Sequence, residues 1–276
     1  MKFLKLLLTL MAIMTIAVSC GPKKEASKVL VLYYSQTLNT MTVAQEIAAR
    51  LGADMEEVVP VKPYDGDFQA TIERCMKERE EGSIPEIQPI AADLTKYDVI
   101  FLGYPIWFGT YAPPVAAVLN KIDFSGKKVV PFCTFGSGGL DSSVKDLAAK
   151  QPNAQILPGY GVRAARIEAV PKEVDQFLKA GGFVEGEYVQ LEAFSEQRPV
   201  TEEEAAIFNA AIDGYPMLSA KATAVASRAI PGGVEYLFTA ADLPREEDAQ
   251  MPPRGDIKVY VIAQEGKAPE FTQVVR

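Results

Sequence analysis

The sequence predicts an α/β protein: a doubly wound, five-stranded parallel sheet followed by a small α+β domain with an antiparallel sheet. Apolar, β-branched runs without polar alternation occur at 28–34, 98–104 and 127–135, and such runs suit strands that are buried on both faces. Helical segments separate these runs, an alternation that is typical of parallel sheets covered by helices. Past Gly181 and Gly182 the apolar period becomes two, which predicts antiparallel strands with one exposed face.

The first domain, expected over 28–182, begins with a strand, a polar loop and a helix. The helix is predicted from Met41 to Leu51 because its apolar residues recur on one stripe, and Gly52 is a suitable C-cap. Another helix is expected to begin at Pro113, since proline fits the first helical turn, where N–H groups have no internal partner. The remaining elements predicted here are strands at 54–60 and 154–162 and helices at 68–81, 113–121, 140–150 and 171–180.

The second domain, expected over 183–276, begins with a helix that carries clear start and stop signals. Thr201 and Glu204 form a capping box at its start, and Asp213 with Gly214 predicts its end. Alternating apolar residues then predict strands around 218–224, 234–238, 257–261 and 271–275, with a turn at 231–233.

Composition excludes several kinds of chemistry. The 276-residue chain contains no histidine, so His-based catalytic triads and His-ligated zinc are excluded. Its formal net charge of −8, without a basic stripe, makes it a poor nucleic-acid binder. Its three cysteines form no C-x-x-C pair; Cys75 and Cys133 are open to a disulfide or to inert packing, and packing is usual in a buried strand. No catalytic or metal-binding residue is predicted.

The first residues of the chain have the pattern of an export signal. Lys2 and Lys5 precede an apolar run that is too short to span a membrane, and small residues then precede Cys20. This order resembles the lipobox of bacterial lipoproteins, which implies a signal peptide at 1–19, lipidation of Cys20 and a flexible tether at 20–27. The alternative is an ordinary signal peptide that happens to precede a cysteine. We therefore expect a bacterial membrane-anchored lipoprotein that faces the periplasm or the cell exterior.

Three loops follow three of the buried strands, and each carries residues suited to a ligand. The first loop, 34–40, is uncharged and rich in hydroxyls, and it meets a helix N-terminus, where N–H groups either attract an anion or are simply capped. The second loop, 103–110, holds the only tryptophan among three aromatic residues, which suit stacking on a flat ring or packing on the core. The third loop, 134–139, is rich in glycine, which allows a ligand to approach the backbone or makes a flexible turn. Because the carboxyl ends of parallel strands meet at one edge of a sheet, the three loops predict one ligand site.

These loops, in this order, carry a resemblance to a known family. SQTLNT at 35–40 resembles the S-x-T-G-N-T phosphate loop of flavodoxin-like FMN-binding proteins, and YDVIFLGYPIWFGTYAPPV at 97–115 resembles their third strand and flavin-contacting loop. TFGSGG at 134–139 resembles their third loop, and the added helical segment at 64–81 is typical of a bacterial lipoprotein subgroup. The resemblance covers a little over half of the chain, and it implies the strand order 2-1-3-4-5 and FMN as the cofactor.

The resemblance implies three sets of FMN contacts. They are Ser35, Gln36, Thr37, Leu38, Asn39 and Thr40 for the phosphate, Pro105, Ile106, Trp107, Phe108 and Gly109 for the isoalloxazine ring, and Thr134, Gly136, Ser137, Gly138 and Gly139 for the other edge of that ring. Leu38 departs from the family, which has glycine at this position. If the position needs a positive φ, leucine costs on the order of 1 kcal/mol or more.

The function that the resemblance implies is electron transfer or flavin-dependent oxidoreduction at a membrane, with a redox partner protein or a small electron acceptor as the partner. The rival is a non-enzymatic lipoprotein whose flavodoxin-like body has lost its cofactor and whose second domain binds a partner. That domain weakly resembles the cystatin and monellin folds, in which an antiparallel sheet wraps one helix, but it lacks the Q-x-V-x-G hairpin of cystatin inhibitors. Docking or scaffolding is therefore its expected role.

Overall fold

The structure, a computed structural model, describes residues 28–65, 67–243 and 255–276. The predicted signal peptide, the lipidation site at Cys20 and the tether at 20–27 lie outside these residues. Within the described ranges, no helix is both long enough and apolar enough to cross a membrane.

A seven-stranded sheet, mostly parallel, forms the centre of the first domain. Its strands are β1 (Val29–Tyr33), β2 (Asp54–Glu57), β3 (Val99–Trp107), β4 (Thr110–Tyr111), β5 (Lys128–Phe135), β6 (Gln155–Ile156) and β7 (Tyr160–Arg163). The order is β2-β1-β3-β5-β6, with β7 also pairing with β5 and with β4 folded back on β3. With the fifth parallel strand made of β6 and β7, this is the predicted order 2-1-3-4-5, so the predicted fold class is confirmed.

The fifth parallel strand, predicted as one segment at 154–162, is divided into β6 and β7. The Leu157 N–H still donates to the Val129 carbonyl, but Pro158 has no N–H with which to continue the ladder. Pairing resumes after this break, and β7 ends opposite Phe135. The last residue of β7 therefore lies beside the start of the third loop.

Helices cover both faces of this sheet. They are α1 (Asn39–Leu51), α2 (Phe68–Glu81), α3 (Pro113–Lys121), α4 (Leu140–Lys150) and α5 (Val170–Ala180), with short 3-10 turns at Leu94–Lys96 and Ala164–Ala169. Alternate strand residues belong to two separate apolar cores, since Val31 and Phe101 pack with α1 and α5, whereas Leu32 and Leu102 pack with α3 and α4. The helices α2, α3 and α4 have their predicted bounds, and α1 begins two residues before the predicted Met41.

The second domain is a helix packed on a five-stranded antiparallel sheet. Its elements are β8 (Arg198–Pro199), α6 (Glu202–Ile212), β9 (Ala220–Ile230), β10 (Gly233–Asp242), β11 (Asp256–Gln264) and β12 (Glu270–Val275), and the strand order is β12-β11-β10-β9-β8. The helix meets the sheet through the Phe208 and Phe238 rings, whose centroids are 5.1 Å apart. The predicted α+β arrangement is thus present; β8 was not predicted because two residues, one of them proline, carry no periodic signal.

The capping box at the start of α6 is present and is completed by an arginine. The Glu204 N–H donates to Thr201 Oγ1 at 3.3 Å, and the Thr201 N–H donates to Glu204 Oε2 at 3.0 Å. Arg198, from β8, donates to both carboxylate oxygens of Glu204, at 2.5 and 2.8 Å. Hydrogen bonding by Arg198 and Thr201 lowers the pKa of Glu204 to about 2.

Glu204 is expected to make the stability of the second domain fall in acid. Because its pKa is depressed in the folded state, its contribution is present above about pH 4.5 and is lost as the pH falls towards 2. Arg198 is half exposed and solvent screens the pair, so we expect a loss of about 1 kcal/mol. Urea unfolding of Glu204→Gln should lack this part of the pH dependence, whereas Glu202→Gln, in the same helical turn, should keep it. Equal acid losses in the wild type and in Glu204→Gln would contradict the assignment.

Candidate functional site

The three loops predicted to form one site do meet at one edge of the parallel sheet. They follow β1, β3 and β5, which are neighbours in the sheet. The Tyr34 and Trp107 rings, from the first and second loops, have centroids 5.8 Å apart. The hydroxyls of Thr40 and Thr134 join the first and third loops at 2.8 Å. The second and third loops pack so closely that a methyl group on Gly139 would lie 2.5 Å from Ile106 Cγ2.

The first loop presents backbone donors that the protein itself does not use. Across the residues that the structure describes, no protein acceptor is bonded to the N–H groups of 35–40. Ser35 Oγ accepts the Met41 N–H at 3.2 Å, which leaves the hydroxyl proton of Ser35 able to donate outwards. Thr37 Oγ1 accepts from the Asn39 side-chain amide at 3.3 Å. The loop therefore combines unused donors with the positive end of α1, the chemistry that holds an anion.

Two predicted phosphate contacts have side chains that are turned into the protein. The Gln36 amide donates to the Tyr64 carbonyl at 2.8 Å and to Thr71 Oγ1 at 3.0 Å. Both acceptors lie in the added helical segment at 64–81, called the inserted segment below. The Thr40 hydroxyl is buried against Thr134. Only the backbone N–H groups of these two residues remain as donors, which the motif alone did not indicate.

Leu38 adopts a left-handed backbone conformation, which meets the condition under which leucine at this position carries a cost. It lies at the N-cap of α1 with φ of 66° and ψ of −13°, and no side-chain cap bond forms there. Its side chain is 61% exposed, so packing does not compensate for the strained φ. The first loop thus carries a strain on the order of 1 kcal/mol that a glycine would not have.

Replacing Leu38 with glycine is expected to raise the free energy of unfolding by up to about 1 kcal/mol, because glycine adopts a positive φ without a Cβ clash. Leu38→Ala is the matched control, since it removes the exposed side chain but keeps the Cβ and therefore the strain. Urea unfolding of both variants measures the effect. If alanine stabilises the protein as much as glycine, the exposed side chain rather than the backbone is the cause.

The second loop is a β-hairpin rather than the predicted irregular loop. β3 continues through Trp107 and pairs with β4, with Ile106 opposite Tyr111. The two residues between the strands, Phe108 and Gly109, have φ of 52° and 83°. Positive φ at both positions is typical of a type I′ turn, whose twist matches that of the paired strands. This pairing fixes Trp107 on a strand, next to an exposed tip.

Trp107 forms a fixed aromatic wall, whereas Phe108 is exposed at the tip. The Trp107 ring packs edge-on against Tyr34, and its centroid is 5.1 Å from that of Tyr64. Burial raises the pKa of both tyrosines, so their rings stay neutral. Phe108 is 48% exposed, and the Arg79 guanidinium lies 5.0 Å from its ring centre. The inserted segment, which contributes Tyr64 and Arg79, therefore supports the second loop from behind.

Two carbonyl groups of the third loop are bound, one by Arg163 at the end of β7 and one by the second domain. The Gly136 carbonyl accepts from Arg163 Nε at 2.9 Å, and the Ser137 carbonyl accepts from the N–H of Val274, in β12, at 2.6 Å. For the N–H groups of 136–139, the described part of the chain supplies no hydrogen-bond acceptor. The Gly136 and Ser137 carbonyls are thus occupied by Arg163 and β12, while the N–H groups of the loop stay available to another group. No sequence pattern indicated this contact between domains.

The cysteine and acidic side chains that the structure describes form neither a metal-binding cluster nor a disulfide. In the ranges that the structure describes, no group of three or more Cys, Asp or Glu residues could hold a metal ion. Cys75 and Cys133 are both buried and form no disulfide. Burial raises the pKa of Cys75 to about 11, so its thiol stays protonated near neutral pH.

Comparison with known proteins gives a family for the first part of the chain. A family model described as Flavodoxin matches residues 28–175. A candidate flavoprotein from Bacteroides uniformis is 28% identical, with a TM-score of 0.49, over 55% of this chain and 99% of that chain. A flavoprotein from Lactobacillus acidophilus in complex with FMN is 25% identical, with a TM-score of 0.46, over 54% of this chain and 97% of that chain. No curated protein gives a significant match. The matched family residues end at 175, so the cystatin-like resemblance of the second domain stays a prediction.

Proposed function

Because this chain belongs to the flavodoxin family over residues 28–175, we propose that it binds FMN between its three loops and transfers electrons at a bacterial membrane surface. The observation that supports this most directly is the pair of unused donor sets, at 35–40 and 136–139, on either side of the hairpin that carries Trp107. One set suits a phosphate and the other suits the polar edge of a flat ring.

The first loop fits the phosphate of FMN without any cationic side chain. Its residues are uncharged, and its unused N–H groups stand at the positive end of a helix of thirteen residues. The Ser35 hydroxyl adds a donor whose oxygen is already fixed by Met41. Such a cradle stabilises a doubly negative ester through many short-range donors rather than through one ion pair.

The second and third loops fit the isoalloxazine ring. Trp107 offers a rigid apolar face because Tyr34 and Tyr64 hold its ring, and this face excludes water from a flat ligand. The Cβ positions of Gly136 and Gly138 face Tyr215 and Val274 of the second domain, so these glycines let that domain approach the loop from one side, while the N–H groups of 136–139 suit the polar edge of the ring. Bound FMN would supply one- or two-electron chemistry, and the protein would supply position and electrostatics.

Titration of the purified chain with FMN tests the proposal, and we expect a yellow 1:1 complex at micromolar concentration. Asn39→Asp is a sharp variant, since an acidic residue in the first turn favours the helix but repels a phosphate. We expect Asn39→Asp to weaken the binding of FMN at least tenfold and to leave the affinity for riboflavin, which lacks the phosphate, unchanged. The absence of any complex at micromolar concentration would overturn the proposal.

Two activities remain within this proposal, and one experiment separates them. The acidic chain, with net charge −8, suits docking to a basic redox protein and hence single-electron shuttling. The other activity is direct reduction of a small acceptor such as a quinone by a nicotinamide donor. Rapid reduction of the FMN-loaded protein by NADH or NADPH in stopped flow would favour the second activity.

A second candidate function is a non-enzymatic lipoprotein that has lost FMN binding. The left-handed φ of Leu38 favours it, because the strain falls in the phosphate loop. FMN affinities of the wild type and Leu38→Gly discriminate between the two functions. A rise of several orders of magnitude in Leu38→Gly would support the loss of binding in the natural chain.

Attachment to a membrane through Cys20 completes the proposed function. The lipobox-like order of residues around Cys20 supports it. In a bacterial host, the wild-type chain should incorporate labelled fatty acid and sediment with membranes. Cys20→Ser should do neither, and membrane attachment of that variant would contradict lipidation at this residue.

A further inference from the structure

We propose that Arg163, held by the second domain, sets the redox potential of the site by placing a buried positive charge directly against the third loop. The inference rests on the proposed binding of FMN. It assigns a role to the second domain, whose last strand packs against the first domain at this loop.

Arg163 is clasped between the third loop and the second domain. It is the last residue of β7, and only 8% of it is exposed. Its Nε donates to the Gly136 carbonyl at 2.9 Å, and its Nη1 donates to the Phe271 carbonyl at 2.9 Å. The guanidinium carbon lies 3.5 Å from the centre of the Phe271 ring and 5.3 Å from that of Tyr215. Both rings belong to the second domain, so its docking determines where this charge sits.

Among the residues that the structure describes, no carboxylate pairs with the charge of Arg163. Over the described ranges, no Asp or Glu oxygen lies within 4.0 Å of its guanidinium, whereas Arg166 is bonded to Glu173 at 2.7 Å and to Glu270 at 3.0 Å. An unpaired buried cation costs free energy, and an arginine does not relieve that cost by losing its proton. The two carbonyls and two aromatic rings around Arg163 compensate only in part. The fold keeps this costly charge beside the third loop, where it can act on a bound ligand.

The backbone of the third loop adds to the positive potential that Arg163 creates on the ligand side of the loop. Arg163 and Val274 bind the carbonyl oxygens of Gly136 and Ser137, and the N–H groups of 136–139 are left for a ligand. Peptide dipoles and the guanidinium thus both make the ligand side of the loop electropositive. Asp141, just beyond the loop, is exposed, so solvent screens its opposing charge. Electrons delivered by an external donor add negative charge to the bound ring, and a positive potential favours that change.

The test is the midpoint potential of bound FMN, measured by spectroelectrochemistry in the wild type and in Arg163→Met. Methionine fills a similar volume without the charge. We expect the equilibrium constant for reduction of the bound FMN to fall at least tenfold, which lowers the midpoint potential by about 30 mV for a two-electron couple. Arg163→Lys keeps the charge and should lie closer to the wild type.

Two further variants separate charge from docking of the domain. The double variant Arg166→Met/Glu270→Gln removes the neighbouring ion pair between the domains without changing the net charge, and it should leave the equilibrium within about twofold of the wild type. Tyr215→Glu places a carboxylate beside Arg163 and leaves the Arg163–Gly136 bond in place; relative to Tyr215→Gln it should lower the potential. The comparison of Tyr215→Glu with Tyr215→Gln tests the effect of the Arg163 charge even if Arg163→Met fails to fold.

The outcomes distinguish this inference from the proposed function. If the wild type binds no FMN, the proposed function is wrong and the inference falls with it. If the wild type binds FMN but Arg163→Met and Tyr215→Glu keep the potentials of their controls, only the inference is wrong. It is also wrong if the charge-neutral double variant lowers the potential as much as Arg163→Met does.

Discussion

Replacing Gly138 with alanine is expected to push the second domain away from the third loop. A Cβ on Gly138 would lie 2.1 Å from the carbonyl oxygen of Val274, well inside the 3.0 Å below which something must shift. The obstructing atom is backbone in a strand that is itself paired, with Val274 opposite Val259 in β11. No side chain can turn aside, so the contact between β12 and the loop must open. Overpacking of this kind costs about 1–3 kcal/mol.

Gly136→Ala is the matched control for Gly138→Ala. Its Cβ would meet only the Tyr215 hydroxyl, at 3.1 Å, at the end of a side chain that can move. Neither glycine has a positive φ, so the alanine backbone is unstrained at both positions. Urea unfolding and the exchange rate of the Val274 N–H measure the effect, and FMN affinity reports its consequence at the site. Wild-type behaviour of Gly138→Ala in all three measurements would contradict this interface.

Removing one hydroxyl of the Thr40 and Thr134 pair is expected to cost more than removing both. The two Oγ1 atoms are 2.8 Å apart, both residues are buried, and neither hydroxyl has another protein partner among the described residues. Thr40→Val or Thr134→Val alone leaves the other, buried hydroxyl without its hydrogen-bond partner, which costs about 1–3 kcal/mol. The double valine variant removes both polar groups with little change in shape, so its loss should be close to zero.

A double-mutant cycle in urea measures this coupling directly. The pair joins α1 to the end of β5. Each single variant should therefore also loosen the link between the first and third loops and weaken the binding of FMN. The double valine variant should retain most of the FMN affinity if the hydroxyls act only in this link. Additive single effects would mean that the pair does not interact in solution.

Local signals were sufficient for most elements of the first domain, although β2, predicted over 54–60, ends at Glu57. The helices α2, α3 and α4 have their predicted bounds because their ends carry local chemistry: Asp67 caps α2, prolines open α3 and Gly139 precedes α4. The continuous apolar runs predicted buried strands correctly, because a strand covered on both faces needs no polar alternation. Where the local signal was broken, as at Pro158, the predicted strand was divided.

Local signals were weaker for the site itself. The three loops could be placed at one edge of the sheet, because parallel strands joined by helices bring their carboxyl ends together. The motif marked Leu38 as a departure from glycine, but its positive φ, and hence the strain, came from the structure. The hairpin at Trp107 was missed because its pairing begins where an apolar strand was expected to end.

The sequence by itself determined the class of most segments, the place of the three loops and the family, since these depend on periodicity, turn chemistry and motifs that are local in the chain. Only the tertiary structure decided which donors of the loops remain unused and what holds the loops in place. Gln36 turns to the inserted segment, and Arg163 reaches Phe271, a residue more than a hundred positions further along the chain. Contacts between residues so far apart leave no periodic trace, because they depend on how separately patterned segments and domains pack.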